Sequence, residues 1–215
     1  MKSVLKIAVI SLFYCNFCFA QERSVQYSRD FEFKNGMYLS FMDFKKNQPV
    51  MAAKIISDYN RSDRDFFDKV LSKTTFTYID SAGKEQMQKA RDVWGYCQNG
   101  TVHVNYGADF ARVTVIGSIC HFVASVQRQI GVSDPFMYND PFYNPQRYVY
   151  VTEQMVLDFE TGKISEFNVP NMESLLSRDE ALFNQFNALK KKEKRDGIFL
   201  YLRKYNEKHP IYFPE

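Results

Sequence analysis

The feature that most constrains how this chain folds is Asn99-Gly100, which joins two β-prone runs at residues 93–98 and 101–106. Asn-Gly in this setting favours a two-residue type I′ hairpin, because both central residues must adopt positive φ. Counting outward from the turn pairs Tyr96 with His103 and Cys97 with Val102. Alternation then predicts two faces, a core face with Val93, Gly95, Cys97, Val102, Val104 and Tyr106, and an opposite face with Trp94, Tyr96, His103 and Asn105.

Strand-like spacing extends on both sides of this hairpin, from about residue 75 to residue 169. A second hairpin is predicted around Glu160-Thr161-Gly162. Residues 36–41 are predicted as a short strand, whereas helical spacing follows Ser62, a predicted cap, and returns in the C-terminal part after a capping-box pattern at residues 177–180. The apolar stripes of the C-terminal helices need a surface to pack on. We therefore expect an α+β fold, in which an antiparallel β-meander sheet, open or partly closed into a barrel, packs against C-terminal helices.

Residues 1–20 have the pattern of a secretory signal peptide. Lys2 precedes an apolar stretch, and Cys18 and Ala20 supply the small residues that a cleavage site needs. A membrane anchor is the weaker interpretation, because the apolar run is shorter than the roughly 20 residues that span a bilayer. Lipid attachment at Cys15 or Cys18 is also weaker, because the preceding residues are not small. We expect one domain over residues 21–215, exported and without an integral membrane segment after cleavage.

Cleavage alters the charge and cysteine content on which functional inference depends. Removing two lysines leaves 26 of the 28 basic residues against 25 acidic ones, so the mature chain is nearly neutral. Nucleic-acid binding requires a clustered basic surface, and we therefore expect none. Cys97 and Cys120 remain, and two thiols in an oxidising compartment predict one disulfide between them.

No spacing in the mature chain, residues 21–215, matches a known catalytic, phosphate-binding or metal-binding motif. Adjacent strand residues point to opposite faces, so His121 is poorly placed to activate Cys120. We therefore predict no catalytic residue, metal or cofactor. A carboxylate pair that meets only in the fold would still permit a glycan-acting hydrolase, with candidates Asp134, Asp140, Glu153 and Asp158.

Aromatic residues make up 16% of the chain and are the main candidates for binding. One group lies in the proline-containing segment 134–144 and consists of Phe136, Tyr138, Phe142 and Tyr143, followed by Tyr148 and Tyr150. The second consists of Trp94, Tyr96 and His103. Each group either covers the core or presents rings to a partner. The basic run at residues 190–195 is either a solvated helix end or a contact for anionic lipid or polysaccharide.

Four short segments carry a resemblance to a family. They are 36–41 with Phe44 and Pro49, the Trp94-Gly95-Tyr96 strand, 157–163 and 201–206. Together they resemble uncharacterised secreted proteins of Bacteroidetes-type bacteria. The resemblance implies a periplasmic or cell-surface location in a diderm bacterium and supplies no activity.

These observations favour a secreted, non-enzymatic envelope or surface protein that binds a protein or glycan partner through an aromatic surface. A glycan-acting hydrolase and a structural assembly subunit are the alternatives.

Overall fold

The computed structural model describes residues 23–131 and 146–214. The predicted signal peptide and the aromatic residues Phe136, Tyr138, Phe142 and Tyr143 lie outside the described residues. The strands are β1 (Ser24–Gln26), β2 (Gly36–Tyr38), β3 (Ile55–Ile56), β4 (Thr75–Ile79), β5 (Glu85–Lys89), β6 (Gly95–Gln98), β7 (Thr101–Tyr106), β8 (Asp109–Val115), β9 (Ile119–Gly131), β10 (Gln146–Asp158), β11 (Ile164–Glu166) and β12 (Tyr212–Pro214). The helices are α1 (Phe41–Lys45), α2 (Phe66–Leu71), α3 (Val169–Leu176), α4 (Glu180–Asn187) and α5 (Lys191–Lys208).

The main sheet has seven antiparallel strands in the order β11-β10-β9-β8-β7-β6-β2. From β6 to β11 consecutive strands are neighbours, as expected for a meander, and β2 adds to the β6 edge. The predicted α+β fold is therefore confirmed. The sheet stays open, with β2 and β11 at its edges, so the partly closed barrel is not observed.

The Asn99-Gly100 hairpin has the predicted register. Tyr96 is opposite His103 and Cys97 is opposite Val102, and both turn residues have positive φ. The face assignment is wrong at one end, because Val93 packs with Tyr96 whereas Trp94 packs on the other side of the sheet. The reason is that β6 begins only at Gly95, after a 3₁₀ turn at Ala90–Asp92, so alternation does not extend back to Val93.

Three clusters of buried side chains cover the two faces of the main sheet. One face packs against aromatic side chains from both ends of the chain, including Phe33, Phe44 and Phe213. The opposite face is covered near β6 and β7 by α2 and the small sheet β3-β4-β5. The same face is covered at β9 and β10 by α3, α4 and α5, which pack on Ile119 and Val156.

Two predicted helix caps are replaced by other residues. Ser177 ends α3, and the α4 cap is Asp179, whose side chain accepts a hydrogen bond from Leu182 N. Asp65 rather than Ser62 precedes α2. Helix α3 itself was not predicted. Asn168 caps it and thereby shortens the strand that alternation had extended to residue 169.

Candidate functional site

The structure separates Trp94 from its two predicted companions. Tyr96 is buried, its hydroxyl donates to Asp68 Oδ1 at 2.6 Å, and its ring stacks on His103 with centroids 4.6 Å apart. Trp94 is half-buried on the opposite face and stacks on Phe44, also at 4.6 Å. Burial lowers the pKa of His103. Tyr96 and His103 therefore help to pack α2 onto the sheet, and the three residues do not form one surface.

The described aromatic residues nearest the 134–144 segment are strongly exposed. Tyr148 and Tyr150, on β10, are 55% and 64% exposed. They lie on a part of the hairpin that extends beyond its neighbours. Residues 146–153 of β10 pair with β9, whereas β11 pairs only with Met155–Leu157. On the β9 side, Ala108 N, in the turn between β7 and β8, donates a backbone hydrogen bond to Ser125 O.

One face of this two-stranded ribbon carries no charge. Because Gln129 is opposite Tyr148 and Gln127 is opposite Tyr150, these side chains share a face. We call this surface the ribbon face, and it consists of Val123, Ser125, Gln127, Gln129, Tyr148, Tyr150, Thr152 and Gln154. Seven of the eight are exposed, and Ser125 is half-buried. An exposed, uncharged surface with two tyrosines has the composition of an interface core, where charged residues are depleted and tyrosine is enriched.

The opposite face of the ribbon carries an ion cluster. Arg128 donates two hydrogen bonds to the Glu153 carboxylate, at 2.6 and 2.7 Å, and a third to Glu166. The hydrogen bonds from Arg128 lower the pKa of Glu153. Charge is therefore confined to the side of the ribbon that does not carry the tyrosines.

The described members of the predicted carboxylate set are held as anions. Burial alone would raise the pKa of Asp158, but hydrogen bonds from Arg178 and Thr161 outweigh it and lower that pKa. Glu153 is also shifted down. A glycosidase general acid needs a raised pKa, so neither residue has the expected property. Asp134 and Asp140 lie outside the described residues.

A cavity of about 590 Å³ lies where the ribbon face meets the C-terminal helices. Its apolar lining comes from Phe167, Val169, Pro170, Ile198 and Phe199, and its polar lining comes from Gln154, Asn168, Lys191 and Arg195. Small-molecule sites typically have volumes of roughly 300–1,000 Å³ and mostly apolar walls with a few polar groups. The cavity meets both criteria.

Beside the cavity, His121 contacts three of its lining residues, Gln154, Phe167 and Phe199. Thr114 Oγ1 lies 3.0 Å from one ring nitrogen of His121, and Gln154 Oε1 lies 3.1 Å from the other. Phe167 and Phe199 contact the ring edge-to-face with centroids 5.0 and 4.9 Å away. Burial lowers the pKa of His121, which favours a neutral imidazole that orients Gln154.

The predicted disulfide is wrong. Cys97 and Cys120 are both buried free thiols. They lie on β6 and β9, which β7 and β8 separate in the sheet. Disulfides require Cα atoms within about 7 Å, whereas three strand spacings of roughly 4.8 Å separate these strands along the sheet. The prediction assumed that the two cysteines were on neighbouring strands.

The sequence had placed Tyr148 and Tyr150 only as a continuation of the aromatic segment, and it did not reveal the cavity. The available signal for the ribbon face was that every second residue from 148 to 154 is uncharged, namely Tyr148, Tyr150, Thr152 and Gln154. The cavity had no such signal, because its walls come from three separated segments.

Across residues 23–131 and 146–214, no helix is long and apolar enough to cross a membrane. The same residues contain no group of three or more His, Cys, Asp or Glu side chains arranged to hold a metal ion. Comparison of the chain with protein-family models, curated proteins and solved structures finds no match.

Proposed function

We propose that this is an exported, non-enzymatic protein of the periplasm or cell surface of a diderm bacterium, and that it binds a partner protein on the ribbon face. The observation that carries the proposal is the uncharged, exposed surface around Tyr148 and Tyr150. Tyrosine contributes large, rigid contact area and is enriched among residues that dominate binding energy.

The free edge of the ribbon favours a polypeptide over a glycan. Residues 146–153 present backbone donors and acceptors that no described strand uses on the side away from β9. Eight residues at 3.4 Å each give an edge of about 27 Å. An extended segment of a partner can pair with such an edge, and side-chain contacts then supply specificity. A glycan lacks the regular peptide groups that this edge complements.

The test is site-specific cross-linking in intact cells that produce the full chain. A photo-reactive phenylalanine analogue replaces Tyr148, and a control protein carries it at Tyr212 on β12, which is 53% exposed. We expect a defined protein adduct from position 148 that is absent from position 212. Identical adducts from both positions would refute the proposal.

Binding assays with the purified protein and the identified partner then measure the contribution of the Tyr150 ring to affinity. We expect Tyr150→Ala to weaken binding of the identified partner by about tenfold or more, with Tyr212→Ala unchanged. Both side chains are exposed, so thermal unfolding should stay close to that of the wild type. An adduct whose added mass is removed by glycosidases would instead identify a glycan partner. An adduct with a second copy of the chain would support the assembly-subunit alternative.

A further inference from the structure

We infer that the cavity between β10, residues 167–170 and α5 binds a single small amphipathic carboxylate, with its apolar body on Phe167 and Phe199 and its carboxylate on Lys191 and Arg195. This site adjoins the proposed partner surface and shares Gln154 with it, but the inference does not depend on partner binding there. It also gives a role to part of the basic run at residues 190–195.

The structure divides the basic run into residues with different partners. Lys194 pairs with Glu173 at 2.6 Å and packs its ammonium over the ring of Phe186. Lys191 and Arg195 line the cavity, and neither makes an ion pair among the described residues. The run is therefore not uniformly a solvated helix end.

The placement of these two cations is unfavourable for the helix itself. Lys191 and Arg195 are four residues apart on α5, and like charges at this spacing destabilise a helix. Lys191 also opens α5, where the helix dipole favours negative charge. A bound anion would relieve both costs. None of the nine lining residues is acidic, so the cavity has a net positive lining.

The remaining polar groups are consistent with one carboxylate. Gln154 Oε1 is engaged with His121, whereas its amide nitrogen has no hydrogen-bond partner among the described residues. Asn168 is already used, since its Oδ1 accepts from Asn171 N and its Nδ2 donates to Glu166. The lining thus offers two cations and one amide donor to an anion, and the other five residues are apolar.

Calorimetric titration of the mature chain with saturated fatty acids of eight to fourteen carbons, below their micelle concentrations, tests the site. We expect each added methylene to tighten binding by about threefold to fourfold until the cavity is full. Val169→Phe places a larger side chain in the cavity wall and leaves less volume for the ligand. The affinity should then stop rising at a shorter fatty-acid chain. Absence of binding across the series would overturn the inference.

The charge contribution is measured with matched double variants on α5. Lys191→Gln/Arg195→Gln should weaken dodecanoate binding by about tenfold or more and leave dodecanol binding unchanged. Lys192→Gln/Arg203→Gln removes the same charge from exposed α5 positions outside the cavity lining and should have little effect. Equal losses in the two double variants would refute the assigned roles. Binding to phosphatidylglycerol vesicles without binding of monomeric dodecanoate would identify a membrane surface as the target and overturn the single-molecule site.

Discussion

Asp158→Asn is expected to destabilise the folded protein, because this carboxylate joins the end of β10 to the start of α4. Asp158 is buried. It accepts two hydrogen bonds from Arg178, at 2.7 and 2.9 Å, and one from the Thr161 hydroxyl at 2.6 Å. The backbone N–H of Glu160 donates a fourth, at 3.2 Å. An asparagine of the same shape removes the charge and presents an amide donor to a donor-rich site.

The magnitude follows from these contacts. A hydrogen bond to a charged group contributes about 1.5–3 kcal/mol. The three side-chain bonds are not additive here, because Arg178 is partly exposed and can regain water. We therefore expect a loss of about 2–3 kcal/mol in the free energy of unfolding. For a chain of this size that corresponds to a decrease in Tm of about 4–12 °C.

The loss should depend on pH with a defined sign. The folded pKa of Asp158 lies below its usual value, so the stabilisation by its charge is complete above the unfolded pKa of about 3.9. It disappears as the pH falls through the lower folded pKa. Urea unfolding at pH 7 and at several pH values below 4 should show the wild type and Asp158→Asn converging in acid.

Glu160→Gln is the matched control. Its carboxylate also contacts Arg178, at 3.0 Å, but is 73% exposed, and exposed ion pairs typically contribute less than about 1 kcal/mol. Equal destabilisation by the two substitutions at pH 7, or a difference from wild type that persists unchanged in acid, would refute the reasoning.

Further predictions concern glycines, thiols and a histidine. Gly197→Ala should raise the free energy of unfolding by about 0.5–1 kcal/mol, because no atom lies within 4 Å of the added Cβ in helix α5. Gly95→Ala should prevent stable folding, since its Cβ would lie 2.2 Å from His103 O; soluble yield and circular dichroism distinguish the two variants. Thiol titration should find two cysteines in the denatured mature chain and almost none reacting quickly in the native one, because burial raises the thiol pKa to about 11 for Cys97 and about 12 for Cys120. A native protein whose mass is lower than that of the reduced mature chain by two hydrogens would instead contain a disulfide. The imidazole of His121 should titrate in NMR spectra below its ordinary pKa of 6.5, since burial disfavours the cation; a midpoint above 6.5 would contradict this.

Local rules predicted the elements that short-range chemistry controls. Asn99-Gly100 specified the turn type and hence the register of β6 and β7, because few residues accept positive φ at both positions. Apolar spacing likewise indicated that the C-terminal helices carry stripes that face the core, and the stripe residues Leu182, Phe186, Ile198 and Leu202 are buried. The candidate site was predicted less well. Tyr96 was assigned to a possible surface, whereas α2, about 30 residues earlier in the chain, buries it.

Helix caps show why local patterns also fail. Ser177 and Glu180 have capping-box spacing, which predicts a helix that begins after Ser177. In the structure Ser177 instead follows the end of α3, and Asp179 caps α4. The local pattern does not show to which of the two helices Ser177 belongs. Lys208 and His209, at the C-terminal end of α5, donate hydrogen bonds to the Asp179 carboxylate. Those contacts exist only after α5 has packed beside α4.

The sequence by itself determined most of the alternating and helical segments, the hairpin turns and the near-neutral charge expected after signal cleavage, because each depends on residues close together in the chain or on composition alone. Only the tertiary structure decided which aromatic residues are buried, that Cys97 and Cys120 lie on strands that are not neighbours, and that residues from β10, α5 and the 167–170 segment surround one cavity. These properties depend on which segments pack together. Strand order and helix docking bring together residues tens of positions apart, and no local spacing records those contacts.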